Sequence, residues 1–107
     1  MADVWTRIQR LVVSHAVRVS DHGYQELSDD GLFVHELVGG AVDAVVVEEC
    51  PDFAKGPCVL VLRRDLEGGP VHVVWGIPRG HESPAVLVTA YRPDPTRWTS
   101  DWLRRSR

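Results

Sequence analysis

The apolar residues of this chain change their period near residue 41. Before it, Trp5, Ile8, Leu11 and Val12 recur at three- and four-residue intervals behind Asp3, a natural N-cap, so residues 4–14 read as an amphipathic helix. Val17–Ser20 is a short extended or turn segment. Ser20 or Asp21 then caps a second helix running to about Leu27, which Gly23 weakens by roughly 1 kcal/mol. Ser28-Asp29-Asp30 forms a further cap cluster. It opens a short helix through Leu32, Phe33, Glu36 and Leu37, stopped by Gly39-Gly40.

From Ala41 the pattern becomes that of strands. The β-branched run 41–49 predicts the first, and Cys58–Arg64, Pro70–Ile77 and Ala85–Tyr91 predict three more, each bounded by Gly or Pro. Cys50–Pro57 reads as a loop, Leu66-Glu67-Gly68-Gly69 as a hairpin turn and Pro78–Pro84 as a longer connection. Pro93 and Pro95 end the sheet, and Thr96 or Thr99 caps a brief terminal helix holding Trp98 and Trp102. Helices followed by strands predict one α+β domain over 1–107. Its helices (about 4–38) pack on a four-stranded antiparallel sheet (about 41–91), with a C-terminal tail over 92–107.

Alternation assigns faces. In 70–77 it sets Val71, Val73, Trp75 and Ile77 opposite His72, Val74 and Gly76. In 85–91 it sets Val86, Val88 and Ala90 opposite Ala85, Leu87, Thr89 and Tyr91. Both faces are more apolar than a half-solvated sheet requires. Helices cover one. The other, carrying Leu60, Val74 and Leu87, is expected to meet a partner, a second subunit or the C-terminal tail.

Composition narrows the class. At 107 residues with 44% hydrophobic and 25% charged residues, the chain suits one modest hydrophobic core. No apolar run approaches the roughly eighteen residues of a membrane helix, and the N-terminal stretch lacks a signal-like order, so a cytoplasmic location and no membrane partner are expected. Cys50 and Cys58 read as free thiols ahead of a bridged pair, though a hairpin between them would allow a bridge. The net charge of −3 conceals a division. Residues 1–54 hold three Arg and ten Asp/Glu (−7), whereas 55–107 hold nine Lys/Arg and five Asp/Glu (+4). A basic sheet half suits a phosphate backbone or an acidic partner, or is ordinary surface charge that happens to segregate.

Five motifs stand out together: an early His (His22), Pro51-Asp52 and Gly56-Pro57 in a loop, Val71-His72-Val73 in a strand, and the ending Thr89-Ala90-Tyr91-Arg92-Pro93-Asp94. Over roughly 15–98 this combination resembles the bacterial domain of unknown function 4258 family. The family's early helix commonly reads His-Ala-x-x-Arg. Here His15-Ala16-Val17-Arg18 and His22-Gly23-Tyr24 both compete for that place. The resemblance implies a RelE/ParE-like toxin fold and a toxin-side role beside a small zinc-finger antitoxin. The exposed sheet face would then meet RNA or the antitoxin.

RNA cleavage by 2′-hydroxyl attack needs a base, a proton donor and cations. His72, Tyr91 and Arg92 are the candidate catalytic groups; Lys55, Arg63, Arg64 and Trp75 are the candidate ligand contacts. The competing reading makes His72 a satisfied structural histidine, Tyr91 a packing residue and Arg92 a solvated strand end. Five His and two Cys show no metal-ligand spacing, so no metal or cofactor is expected. Two functions follow: a small endoribonuclease of a toxin–antitoxin pair, or a non-catalytic domain that binds a protein or a second copy of itself through the same sheet face.

Overall fold

Asp3 starts the first helix by accepting a 2.7 Å hydrogen bond from the Thr6 amide, and α1 spans Val4–Val13. This computed structural model describes residues 3–32 and 34–106. The expectations that touch Met1, Ala2, Phe33, Arg107 and the side chains of His35 and Val42 lie outside the described residues. A three-residue strand β1 (Val17–Val19) leads into α2 (Asp21–Asp29), then α3 (Val34–Gly39) and a 3-10 turn over Ala41–Asp43. Four strands follow: β2 (Val45–Cys50), β3 (Cys58–Arg64), β4 (Pro70–Gly76) and β5 (Ala85–Tyr91).

The sheet has five strands in the order β1-β5-β4-β3-β2, not four. β2 to β5 form the expected antiparallel meander, but β1 adds to the free edge of β5 in parallel, pairing Val17 with Ala85 and Val19 with Leu87. Three residues are too few to display a period of two, and the partner strand lies some seventy positions away. The α+β class holds; the all-antiparallel description does not. Among the described residues no helix is long and apolar enough to cross a membrane.

Helices cover one face only. Trp5, Ile8 and Val12 of α1, Leu27 of α2 and Leu37 of α3 pack with Val59, Val61, Val71, Val73, Trp75 and Leu87 in one buried core. Burying such side chains, at roughly 1.5–3 kcal/mol each, drives the assembly. Close approach of α2 to β5 needs Gly23, because a Cβ there would lie 2.9 Å from the Leu87 carbonyl oxygen and 3.0 Å from that of Val88. Ser20 fixes the entry, accepting from the Gly23 amide at 2.9 Å while its hydroxyl donates to the Val88 carbonyl at 2.8 Å.

Three expectations need correction. Leu87 belongs to the helix-side core, since Val88 is an extra residue between the pairs Trp75–Leu87 and Val74–Thr89 and breaks the alternation. Ser28-Asp29-Asp30 opens no helix; α2 runs through Asp29, and Asp30 is its C-cap. Among the described residues the C-terminal segment forms no helix either. It folds back through a Trp98–Arg105 bridge, with Trp102 at φ 65°. Local side chains draw the backbone into that turn: Asp101 accepts from the Leu103 amide at 3.0 Å and Thr99 from the Arg104 amide at 3.3 Å.

Candidate functional site

The second sheet face divides into two zones, and the cross-strand register shows how. One row runs Val45, Leu62, His72, Tyr91; the next Glu48, Leu60, Val74, Thr89; the last Cys50, Cys58, Gly76, Val86.

The C-terminal segment covers the first row. Trp98 packs edge-on to the His72 ring with centroids 4.3 Å apart, and Arg105 lies 4.8 Å over the Trp98 ring. Arg105 also reaches across to Glu48 at 3.1 Å. His72 is fully buried, and its Nε2 lies 2.8 Å from the Trp102 carbonyl oxygen. A carbonyl only accepts, so Nε2 carries the proton and Nδ1 is left to accept from the Tyr91 hydroxyl at 3.4 Å. Burial pushes the His72 imidazole below its ordinary value, opposed by the bond to Trp102. Burial likewise pushes the half-buried Tyr91 hydroxyl up. The imidazole is therefore neutral, bonded at both nitrogens and closed to solvent.

The other candidate residues are dispersed. Arg92 spans to Asp65 at 2.7 Å, and its amide donates to Asp30 at 3.0 Å, so it pins the end of β5 to the β3–β4 turn. Its guanidinium, with the Gly69 and Glu67 amides, holds the Asp65 carboxyl below the usual range. Arg63 donates to the Glu36 carbonyl oxygen and ties β3 to α3. Arg64 reaches back to the Gly68 carbonyl at 3.4 Å. Trp75 is 0% exposed beneath the helices and offers no surface to a ligand. His72 and Tyr91 meet, while Arg92, Arg63 and Arg64 are held by other partners. Of these candidates, Lys55 stands at the edge of an open site.

That site is a cleft of about 640 Å³ over the remaining zone. Val74, Gly76, Val86 and Val88 form its apolar floor, and Arg18, His22 and Lys55 stand around it, with Phe53 exposed at the loop side. Each cation comes from a different element. Arg18 projects from β1 opposite Val86, His22 lies in the first turn of α2, and Lys55 lies in the β2–β3 loop. The loop is held against the end of β4 by bonds from the Arg79 amide to the Lys55 carbonyl (2.9 Å) and from the Ile77 amide to the Pro57 carbonyl (3.1 Å). Gly56, at φ 131°, permits that approach, for any Cβ would collide with the Ile77 carbonyl. Glu26, one turn along α2, sits 3.5 Å from His22 Nε2. Neither Arg18 nor Lys55 has an ion-pair partner among the described residues. Nor do the described residues gather three or more metal-ligating side chains.

Sequence reasoning names Arg18 and His22 only within a family-like motif and gives neither a role at a site. Arg18 reaches the site through the parallel edge strand, which no local pattern announces.

A family model described as a domain of unknown function (DUF4258) matches residues 19–92. The chain belongs to this family. The DUF4258 match starts beyond His15 and includes His22, Lys55, His72 and Tyr91. Arg18 lies just before it, and the covering segment with Trp98, Trp102 and Arg105 lies after it. No curated protein and no solved structure matches the chain.

Proposed function

We propose that this DUF4258 chain is a small metal-independent endoribonuclease that seats single-stranded RNA in the cleft, the toxin-side member of a toxin–antitoxin pair. One observation carries the reading: an exposed histidine and two cations without ion-pair partners among the described residues surround a single apolar floor. Single-stranded RNA readers combine cations for the phosphates with flat or apolar surface for unstacked bases. Here Arg18 and Lys55 hold the non-bridging oxygens, and a base rests on the floor beside Phe53. His22, oriented by Glu26, takes the proton from the 2′-hydroxyl as that oxygen attacks the adjacent phosphorus. The bond to the 5′-oxygen breaks, leaving a 2′,3′-cyclic phosphate and a 5′-hydroxyl, with a proton from solvent completing the leaving group. His72, Tyr91 and Arg92 hold the framework in this reading. The RelE-like toxin setting rests on the family resemblance alone, and fold analogy is weaker support than the site.

The test is incubation of the purified chain with short RNA oligonucleotides in a chelator. Fragments ending in cyclic phosphate support the proposal, and intact RNA at saturating protein contradicts it.

The apolar floor favours a second reading, in which the same cleft docks an acidic protein segment without catalysis. Binding of RNA or peptide with no cleavage by the wild type would select it.

A further inference from the structure

The last row of the second face begins with two cysteines opposite one another. Cys50 ends β2, Cys58 starts β3, and the antiparallel register pairs them directly. Both are free thiols, both line the cleft, and Cys50 is exposed. Directly opposed residues in an antiparallel pair have Cα atoms roughly 4.5–5.5 Å apart, within the roughly 4.4–6.8 Å that a disulfide spans. A one-residue slip of register would put the two side chains on opposite faces, and the bulge at Val47 is what gives Cys50 its present partner.

We propose that Cys50 and Cys58 form a redox-active dithiol that closes to a cross-strand disulfide by exchange with a low-molecular-weight disulfide such as oxidised glutathione. The register makes Cys50 the cross-strand neighbour of Cys58. Burial first, and then that neighbour, push the Cys58 thiol up to about 11. Exchange therefore starts at exposed Cys50. Its thiolate attacks the reagent, forming a mixed disulfide and expelling one reagent thiolate. Cys58 then gives its proton to solvent and attacks the Cys50 sulfur, expelling the second. Two protein thiols are oxidised to one disulfide while one molecule of reagent is reduced to two thiols. The product staples the ends of loop 51–57, which carries Phe53 and Lys55 at the cleft edge. The proposal does not depend on the RNA reading, because its readout is thiol chemistry alone.

The experiment equilibrates the full chain in glutathione redox buffers, folded and in guanidinium chloride, followed by acid quench, alkylation and mass spectrometry. We expect an intramolecular Cys50–Cys58 disulfide whose effective concentration is at least ~10-fold higher in the folded chain, since the fold holds the thiols together. Cys50→Ser and Cys58→Ser should each leave only a free thiol or a single glutathione adduct. An effective concentration in the folded chain equal to or below the unfolded value would overturn the proposal, and that comparison needs only the wild type.

Discussion

Nε2 of His72 donates to the carbonyl oxygen of Trp102 at 2.8 Å, so a buried imidazole in the middle of the sheet anchors the last turn of the chain. The bond spans thirty positions and explains why an otherwise apolar strand contains a histidine. Trp98 against the ring and Arg105 against Glu48 complete the attachment. Substituting His72 by Ala leaves the Trp102 carbonyl unpaired and the Trp98 edge unsupported. We expect a loss of roughly 2–5 kcal/mol, combining an orphaned acceptor with a core cavity, measured by urea unfolding. A wild-type midpoint for His72→Ala would remove the anchoring role.

The same histidine sets a pH window. Its pKa is depressed in the folded chain, so below the ordinary value near 6.5 the unfolded chain takes up a proton that the folded chain refuses. Stability from this group is complete above about pH 6.5 and falls with decreasing pH until the folded value is reached. Unfolding free energies across pH 5–8 should show that decline, and His72→Phe should flatten it. A histidine contribution that grew on acidification would contradict the burial argument.

Two glycines should respond to alanine in opposite directions. At Gly23 the helix gains about 1 kcal/mol in propensity, but the new Cβ meets the Leu87 and Val88 carbonyls, and overpacking of this kind costs roughly 1–3 kcal/mol. Gly39 has nothing within 4 Å of the position a Cβ would take, so Gly39→Ala should be neutral or stabilising by up to about 1 kcal/mol. Thermal melts of the two variants side by side decide the matter.

Much of the fold was readable from period and punctuation. The Asp3 and Ser20 caps, the Gly39-Gly40 stop, the turn before Pro70 and the helix-side row of β4 all follow from local chemistry. Most of what escaped depends on distant partners. The parallel β1–β5 pair and the Val88 bulge that turns Leu87 into the core are set by tertiary contacts. The return of the C-terminus escaped for a local reason: Asp101 and Thr99 accept from backbone amides and hold a turn where a helix was expected. The site was harder still. A histidine in a strand draws attention through its surroundings, yet those surroundings bury it; Lys55 was legible as a candidate contact, whereas Arg18 and His22 stood out only in a family-like motif until the topology set all three around one cleft.

Charge at the cleft should be visible in salt dependence. Removing one cation that holds a phosphate makes the fall of log affinity with log salt shallower by about 0.7 for a single strand. Arg18→Ala and Lys55→Ala should each do so on an uncleavable 2′-deoxy oligonucleotide, while Arg97→Ala, outside the cleft, should leave the slope unchanged. Fluorescence anisotropy from 50 to 200 mM salt, the range over which such binding weakens most visibly, measures it.

Single-turnover cleavage of a short RNA by wild type and His22→Ala, with thermal melts of both, bears most directly on the proposed site. We expect the variant to lose roughly 10²–10⁴-fold in rate, the scale for removing a general base, while melting as the wild type does, because the His22 side chain is 67% exposed. Wild-type cleavage that His22→Ala leaves unchanged would contradict the assignment of the site to the cleft.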